Sequence, residues 1–219
     1  MNLGTSRKVS RRWLLISGIV AVVLAGSLGL VIAHRGGGLP FEFDTGWMAE
    51  VLEERSIWLD VPARFMDWLG GGWFGVLVVP LAIIALLCVA RRFWGAAYYA
   101  IAVLLSVAVV QLMKAVFDRP RPEELLVVTD AGSFPSGHVA NAATMAVVLA
   151  IILGRWWVWF VGIGYVVLMA LSRTYLGAHW ITDTIGGALL GAAVAVAAWA
   201  VFAPRLHSER KGRPGSVGS

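Results

Sequence analysis

Long apolar stretches alternate with short polar ones along almost the whole chain. The apolar stretches run from about Trp13 to Ala33, Trp68 to Ala90, Trp94 to Phe117, Val139 to Leu153, Trp156 to Leu176 and Thr184 to Ala203. About 20 apolar residues in helical form cross a bilayer's hydrocarbon core. The pattern therefore predicts an all-α polytopic membrane protein, six transmembrane helices in one bundle over residues 13–203. The fourth stretch is short unless Gly137 and His138 already belong to its first turn. The first is longer than the roughly 7–15 apolar residues of a cleaved signal peptide. A retained span is expected there, although Val31-Ile32-Ala33 would suit a cleavage site. Gly187 and Gly191 are four apart, a spacing that lets two helices approach closely.

The polar segments differ in kind. Residues 34–67 carry Glu42, Asp44, Glu50, Glu53, Glu54, Asp60 and Asp67 against Arg35, Arg55 and Arg64, after a flexible Gly36-Gly37-Gly38 link. Between Thr45 and about Leu59, apolar residues recur near helical spacing. A short interfacial helix between spans one and two is expected there, with Thr45 as its cap. It is either a connector lying on the bilayer or a guide for a lipid entering a site. The tail from Pro204 to Ser219 is basic and rich in Gly and Ser, and is expected to be disordered.

Composition supports the membrane reading. The chain is 59% hydrophobic and 14% charged, whereas soluble domains have about 45–50% apolar and about 25% charged residues. Eleven tryptophans suit the aromatic belts of membrane interfaces. Cys88 is the only cysteine, so no intrachain disulfide can form, and it is read as a packing residue.

The net charge of +5 changes meaning once six spans assign it to sides. Residues 1–12, Arg91-Arg92, Arg155 and the tail fall on one side, with 11 Lys/Arg and one acid, Glu209. The other side has 7 Lys/Arg and 12 acids. Lys/Arg excess marks the cytoplasmic face. Both termini are thus expected in the cytoplasm, and residues 34–67, 118–138 and the turn after span five outside. The charge is a topology signal, and no nucleic-acid partner is implied.

Chemistry concentrates in three of the outer segments. Lys114 lies near the end of span three, and Arg121 is bracketed by Pro120 and Pro122, which restrict the backbone around it. Arg supplies a planar fork of donors for phosphate oxygens, Lys a point charge. Ser136 and Gly137 open span four, where free N–H groups at a helix start attract anions. His138 would stand beside such an anion, placed to donate a proton. Arg173 adds a third cation. His179 and Asp183 are four apart and would share a helix face. A carboxylate behind an imidazole fixes its tautomer and orientation, and with Ser136 in a capping position His179 is the better nucleophile.

Each group alone has a plainer explanation. Lys114 could snorkel outward, Ser136-Gly137 could be an ordinary helix start, and Asp183 could serve the helix dipole. Arg119 reads as solvated in the loop, and His34 and His207 as interface residues. The coincidence of three separate helix ends at one depth favours a site, since ionisable groups at a bilayer edge are functional by default.

Lys114-x6-Arg121-Pro122, Pro135-Ser136-Gly137-His138 and Ser172-Arg173-x5-His179-x3-Asp183 resemble the three signature motifs of the type 2 phosphatidic acid phosphatase (PAP2) superfamily. The resemblance spans Lys114 to Asp183 and takes in neither residues 34–67 nor the tail. It implies that His179 forms a phosphohistidine, that Asp183 orients it and that His138 is the general acid. Lys114, Arg121, Ser136, Gly137 and Arg173 would cradle the phosphate. It also implies a reaction without metal or other cofactor, on a lipid phosphate or diphosphate in the membrane. Undecaprenyl diphosphate leads by analogy, ahead of phosphatidate and phosphatidylglycerophosphate. The spans argue against the soluble haloperoxidase branch of the family. A lipid-phosphate binder or transporter is the alternative of another class.

Overall fold

The computed structural model describes residues 11–211, and every regular element among them is helical. In chain order these are α1 (Arg11–His34), α2 (Glu42–Glu53), α3 (Ile57–Gly70), a π-helical turn (Phe74–Val78), α4 (Val79–Val89), α5 (Phe93–Phe117), α6 (Gly137–Leu153), α7 (Trp156–Tyr175) and α8 (Ile181–Lys211). Among the described residues, four helices are long and apolar enough to cross a membrane: α1, α5, α7 and α8. The bent pair of α3 and Phe74–Val89, meeting at 47°, makes a fifth candidate if counted as one span. At 17 residues, α6 is shorter, and it does begin at Gly137.

The shortest of these apolar helices lies at the centre. α6 packs against α5, α7 and α8, and α1 packs along α8. Small residues permit this closeness. A Cβ on Gly187 or Gly191 would run into the α6 backbone at Ser136 and Ala140, so both glycines are required by the approach of two main chains. Beside them Tyr98, Ala102, Val148, Ile152 and Ala195 form a buried apolar cluster. The one phenol polar group of Tyr98 is satisfied by the Ala195 carbonyl at 2.8 Å.

Four expectations are corrected. The single interfacial helix from Thr45 to Leu59 is two helices, α2 and α3, broken at residues 54–56. Long-range bonds hold the break open: Arg55 donates to the carbonyls of Tyr175 and Glu124, and the Ser56 N–H to Tyr175 Oη. Thr45 is not the cap. It lies inside α2 and donates to Glu42 O at 2.9 Å, while Asp44 accepts the Phe41 N–H at 3.1 Å. The expected span from Trp68 to Ala90 is interrupted where Gly72 takes a left-handed φ of +55°. Finally, α8 runs through Pro204 to Lys211 instead of ending at Ala203. Glu209 accepts the free N–H groups of Trp94 and Gly95 at the start of α5, and Arg210 donates to the last carbonyls of α6, Ile151 and Ile152. Each charge matches the dipole end it meets. These contacts offset the bond that a proline removes from a helix interior. The basic stretch 1–10 and the tail beyond residue 211 lie outside the described residues.

The same bonds sort the connections by end. Residues 90–92, 154–155 and the end of α8 meet at one end of the bundle. Residues 35–56, 118–136 and 176–180 meet at the other, tied by Arg55, Arg64 and Arg119.

Candidate active site

Lys114 sits in the last turn of α5, buried against the loop that follows. Its ammonium donates to Asp130 Oδ1 at 2.8 Å and to the Gly132 carbonyl at 3.1 Å. The chain leaves α5 through Asp118 in a left-handed conformation, φ 34°, and the prolines then hold Arg121 inward. Its guanidinium is satisfied on all sides: Nε to Asp130 O at 3.1 Å, Nη2 to Asp130 Oδ1 at 2.7 Å and Gly132 O at 2.8 Å, Nη1 to Ala178 O at 2.5 Å. Nη1 also stands 3.4 Å from His179 Nε2.

Ser136 occupies the N-cap position of α6, but its side chain makes no capping bond. Its Oγ is buried without a hydrogen-bond partner. His138, the second residue of the helix, places Nε2 3.2 Å from Asp67 Oδ1, misaligned for a hydrogen bond. The ring lies under Gly71, where a Cβ would overlap it. Arg173, in the last turn of α7, pairs with the same Asp67 oxygen.

His179 lies in the connection between α7 and α8. Its Nδ1 donates to the Ser133 carbonyl at 2.7 Å, and Asp183 Oδ2 is farther, at 3.7 Å. The expected carboxylate thus stands behind the imidazole, but a backbone carbonyl takes the ring proton. A carbonyl only accepts, so Nδ1 carries hydrogen. An arginine only donates, so Nε2 meets Arg121 with its lone pair. Burial, then Arg173, Arg121 and Lys114, pushes the His179 pKa well below the usual 6.5. The ring is therefore neutral at neutral pH.

Asp183 is fully buried and bound by others: Oδ1 accepts from Arg119 at 2.6 Å, Oδ2 from the Trp180 N–H at 2.9 Å. Arg119 is not solvated, as its place in a polar loop suggested. It is 1% exposed and bridges Asp183 to Asp44 of α2, which it meets at 2.7 Å. Asp44 also accepts from the N–H and hydroxyl of Thr182. A buried guanidinium needs such compensation, and two carboxylates provide it.

Lys114, Asp130, Gly137, His138, Arg173 and His179 line one cavity of about 320 Å³, and α5 adds Val103, Val107 and Val110 to its wall beside Ser106 and Gln111. The predicted groups from three separated segments come to this one place. Arg121 reaches it through His179, whereas Ser136 and Asp183 stand directly behind its wall. Missed from the sequence were Arg119, Asp44, Thr182, Asp67, Asp130 and the Ser133 carbonyl. Asp44 and Asp67 lie among the seven acids of residues 34–67, and no feature of the sequence sets these two apart from the rest. Among the described residues, no group of three or more His, Cys, Asp or Glu is arranged to hold a metal ion. A cationic cradle beside a neutral imidazole can bind a multiply charged anion and attack it, and the three valines can receive an attached chain.

Comparison with known proteins agrees with this geometry. The model of the PAP2 superfamily matches residues 95–206. An undecaprenyl-diphosphatase from Sulfolobus acidocaldarius is 46% identical over 59 residues, 27% of this chain and 28% of that protein. Phosphatidylglycerophosphatase B from Bacillus subtilis is 35% identical over 91 residues, 37% of this chain and 45% of that protein. The chain thus matches less than half the length of these relatives. Its fold is similar to the crystal structure of a transmembrane PAP2-type phosphatidylglycerolphosphate phosphatase from Bacillus subtilis, with a TM-score of 0.75 at 22% identity, covering 91% of this chain and 98% of that one. It is also similar to LpxE from Aquifex aeolicus, with a TM-score of 0.65 at 26% identity, covering 73% and 96%. With its family model matched over half its length and its motif residues gathered around one cavity, this helical chain belongs to the PAP2 superfamily.

Proposed function

We propose that the protein hydrolyses the terminal phosphate of a membrane lipid phosphate or diphosphate through a phosphohistidine on His179. The observation that carries this reading is the setting of His179, with Nδ1 2.7 Å from the Ser133 carbonyl and Nε2 3.4 Å from Arg121 Nη1. Its Nδ1–H is fixed by the Ser133 carbonyl, and its Nε2 lone pair faces the guanidinium side of the cavity.

In the first step Nε2 forms a bond to phosphorus as the P–O bond to the lipid breaks. His138 gives its proton to the leaving oxygen. The ring of His179 becomes positive, and the Ser133 carbonyl and the Asp183 carboxylate behind it stabilise that charge. In the second step water attacks the phosphorus, His138 takes its proton back, and inorganic phosphate leaves as His179 returns to neutrality. Lys114, Arg121 and Arg173, with Ser136 and the N–H groups of Gly137 and His138, hold the equatorial oxygens. Three cations and backbone donors can supply the electrostatic stabilisation that a metal gives elsewhere, so the reaction runs without one.

The six apolar stretches each cross the membrane in this reading, with the bent pair as the second span and α6 as the fourth. The Lys/Arg distribution supports cytoplasmic termini and an extracytoplasmic cavity. Undecaprenyl diphosphate is the leading substrate, in keeping with the activity named for the Sulfolobus relative. Phosphatidylglycerophosphate is second, in keeping with the Bacillus one.

His179→Ala tests the assignment. Phosphate release in detergent should vanish while the unfolding temperature stays near that of the parent, and turnover within a few-fold of the parent would remove His179 as nucleophile.

A further inference from the structure

The three motifs leave Asp130 without a role, although it lies inside the cradle they build. Its Oδ1 stands 2.8 Å from Lys114 Nζ and 2.7 Å from Arg121 Nη2. A phosphate oxygen bound by these two cations would have to occupy that same position, because charge-assisted N–H···O contacts have this length. A carboxylate and a phosphate oxygen cannot share it.

Two further observations separate a place-holder from a brace. Lys114 and Arg121 do not depend on the carboxylate for their orientation. Both donate to the Gly132 carbonyl, and Arg121 also to Ala178 O and Asp130 O. The Asp130 side chain is 55% exposed, on a loop, with room to swing into water. Asp67 is the contrast. It pairs with Nη1 of Arg173, whose Nε is buried without a hydrogen-bond partner, so Asp67 serves as a brace.

We infer that Asp130 is an intramolecular competitor of phosphate: its carboxylate fills the Lys114–Arg121 site between turnovers, yields to the substrate's phosphate, and returns to displace the product. The inference rests on the reading that this cavity binds phosphate. The device answers a real difficulty. A cradle with three cations would hold inorganic phosphate, a product carrying nearly two charges, long enough to limit turnover. An internal carboxylate weakens substrate and product alike and shortens the product's stay. Burial raises the Asp130 pKa, but Lys114 and Arg121 outweigh it and keep the group below the usual carboxylate range, so it remains an anion at neutral pH.

Binding of inorganic phosphate to the purified full chain, measured by calorimetry in detergent at neutral pH, tests this without requiring turnover. The parent, Asp130→Asn, Asp130→Glu and Lys114→Ala are compared, each first shown to be folded by its unfolding temperature. Asp130→Asn should bind phosphate about ten-fold or more tightly, Asp130→Glu near the parent value, and Lys114→Ala more weakly. Unchanged or weaker binding by Asp130→Asn, with the parent binding normally, would make Asp130 a brace and overturn the inference alone. No binding by any of the four would overturn the phosphate cradle and the inference together.

Discussion

Two kinds of neighbour set the state of the His179 ring. The Ser133 carbonyl fixes which nitrogen holds the proton, and burial with three nearby cations keeps the ring neutral. A pKa lowered in the folded state means that the lone pair survives as pH falls past the ordinary imidazole range and is lost only below it. The acid limb of kcat/KM should accordingly lie below pH 6.5, and a pH–rate profile checks it; an acid limb above that value would contradict the electrostatic account. At this scale the sequence was informative about which side chains meet. Lys114, His138, Arg173 and His179 are all where their motif spacing leads. It was silent on what holds them. The acceptor for His179 is a backbone carbonyl, which has no residue signature. Arg119 reads as a loop cation because its partners are 64 and 75 residues away.

Among the elements, α2 is the part that sequence patterning treated as peripheral and the structure makes integral. Asp44, Arg119 and Asp183 are all fully buried side chains, and they lock α2 to the start of α8 directly behind His179. Removing one member of a buried ion pair leaves an uncompensated charge, typically at a cost of about 3–5 kcal/mol. Asp44→Asn should therefore lower the unfolding temperature markedly, whereas Glu50→Gln on the exposed face of the same helix should not. Equal, small effects of the two substitutions would show that the network does not anchor α2. Apolar run length located α1, α5 and α7 within a few residues, because spanning a bilayer fixes helix length. The break between α2 and α3 and the continuation of α8 through Pro204 escaped it. Arg55, Glu209 and Arg210 decide those boundaries by bonding to the ends of other helices, and a local pattern carries no trace of such partners.

Across the bundle, one end gathers Lys114, Arg121, His138, Arg173 and His179 and the other the basic connections at Arg91-Arg92 and Arg155. Under the proposed topology and chemistry, the charges that orient the chain are not the charges that bind the ligand. In the proposed function, Val103, Val107 and Val110 of the cavity wall along α5 would receive the lipid chain. A lipid-phosphate carrier could use the same cradle and wall, and turnover separates the two. The decisive measurement is phosphate release by the purified protein from a panel of lipid phosphates and diphosphates, including undecaprenyl diphosphate, phosphatidate and phosphatidylglycerophosphate, with a chelator present. Release from at least one of them, undiminished by the chelator, is the predicted result; binding of these lipids with no phosphate released from any, with or without the chelator, would contradict it.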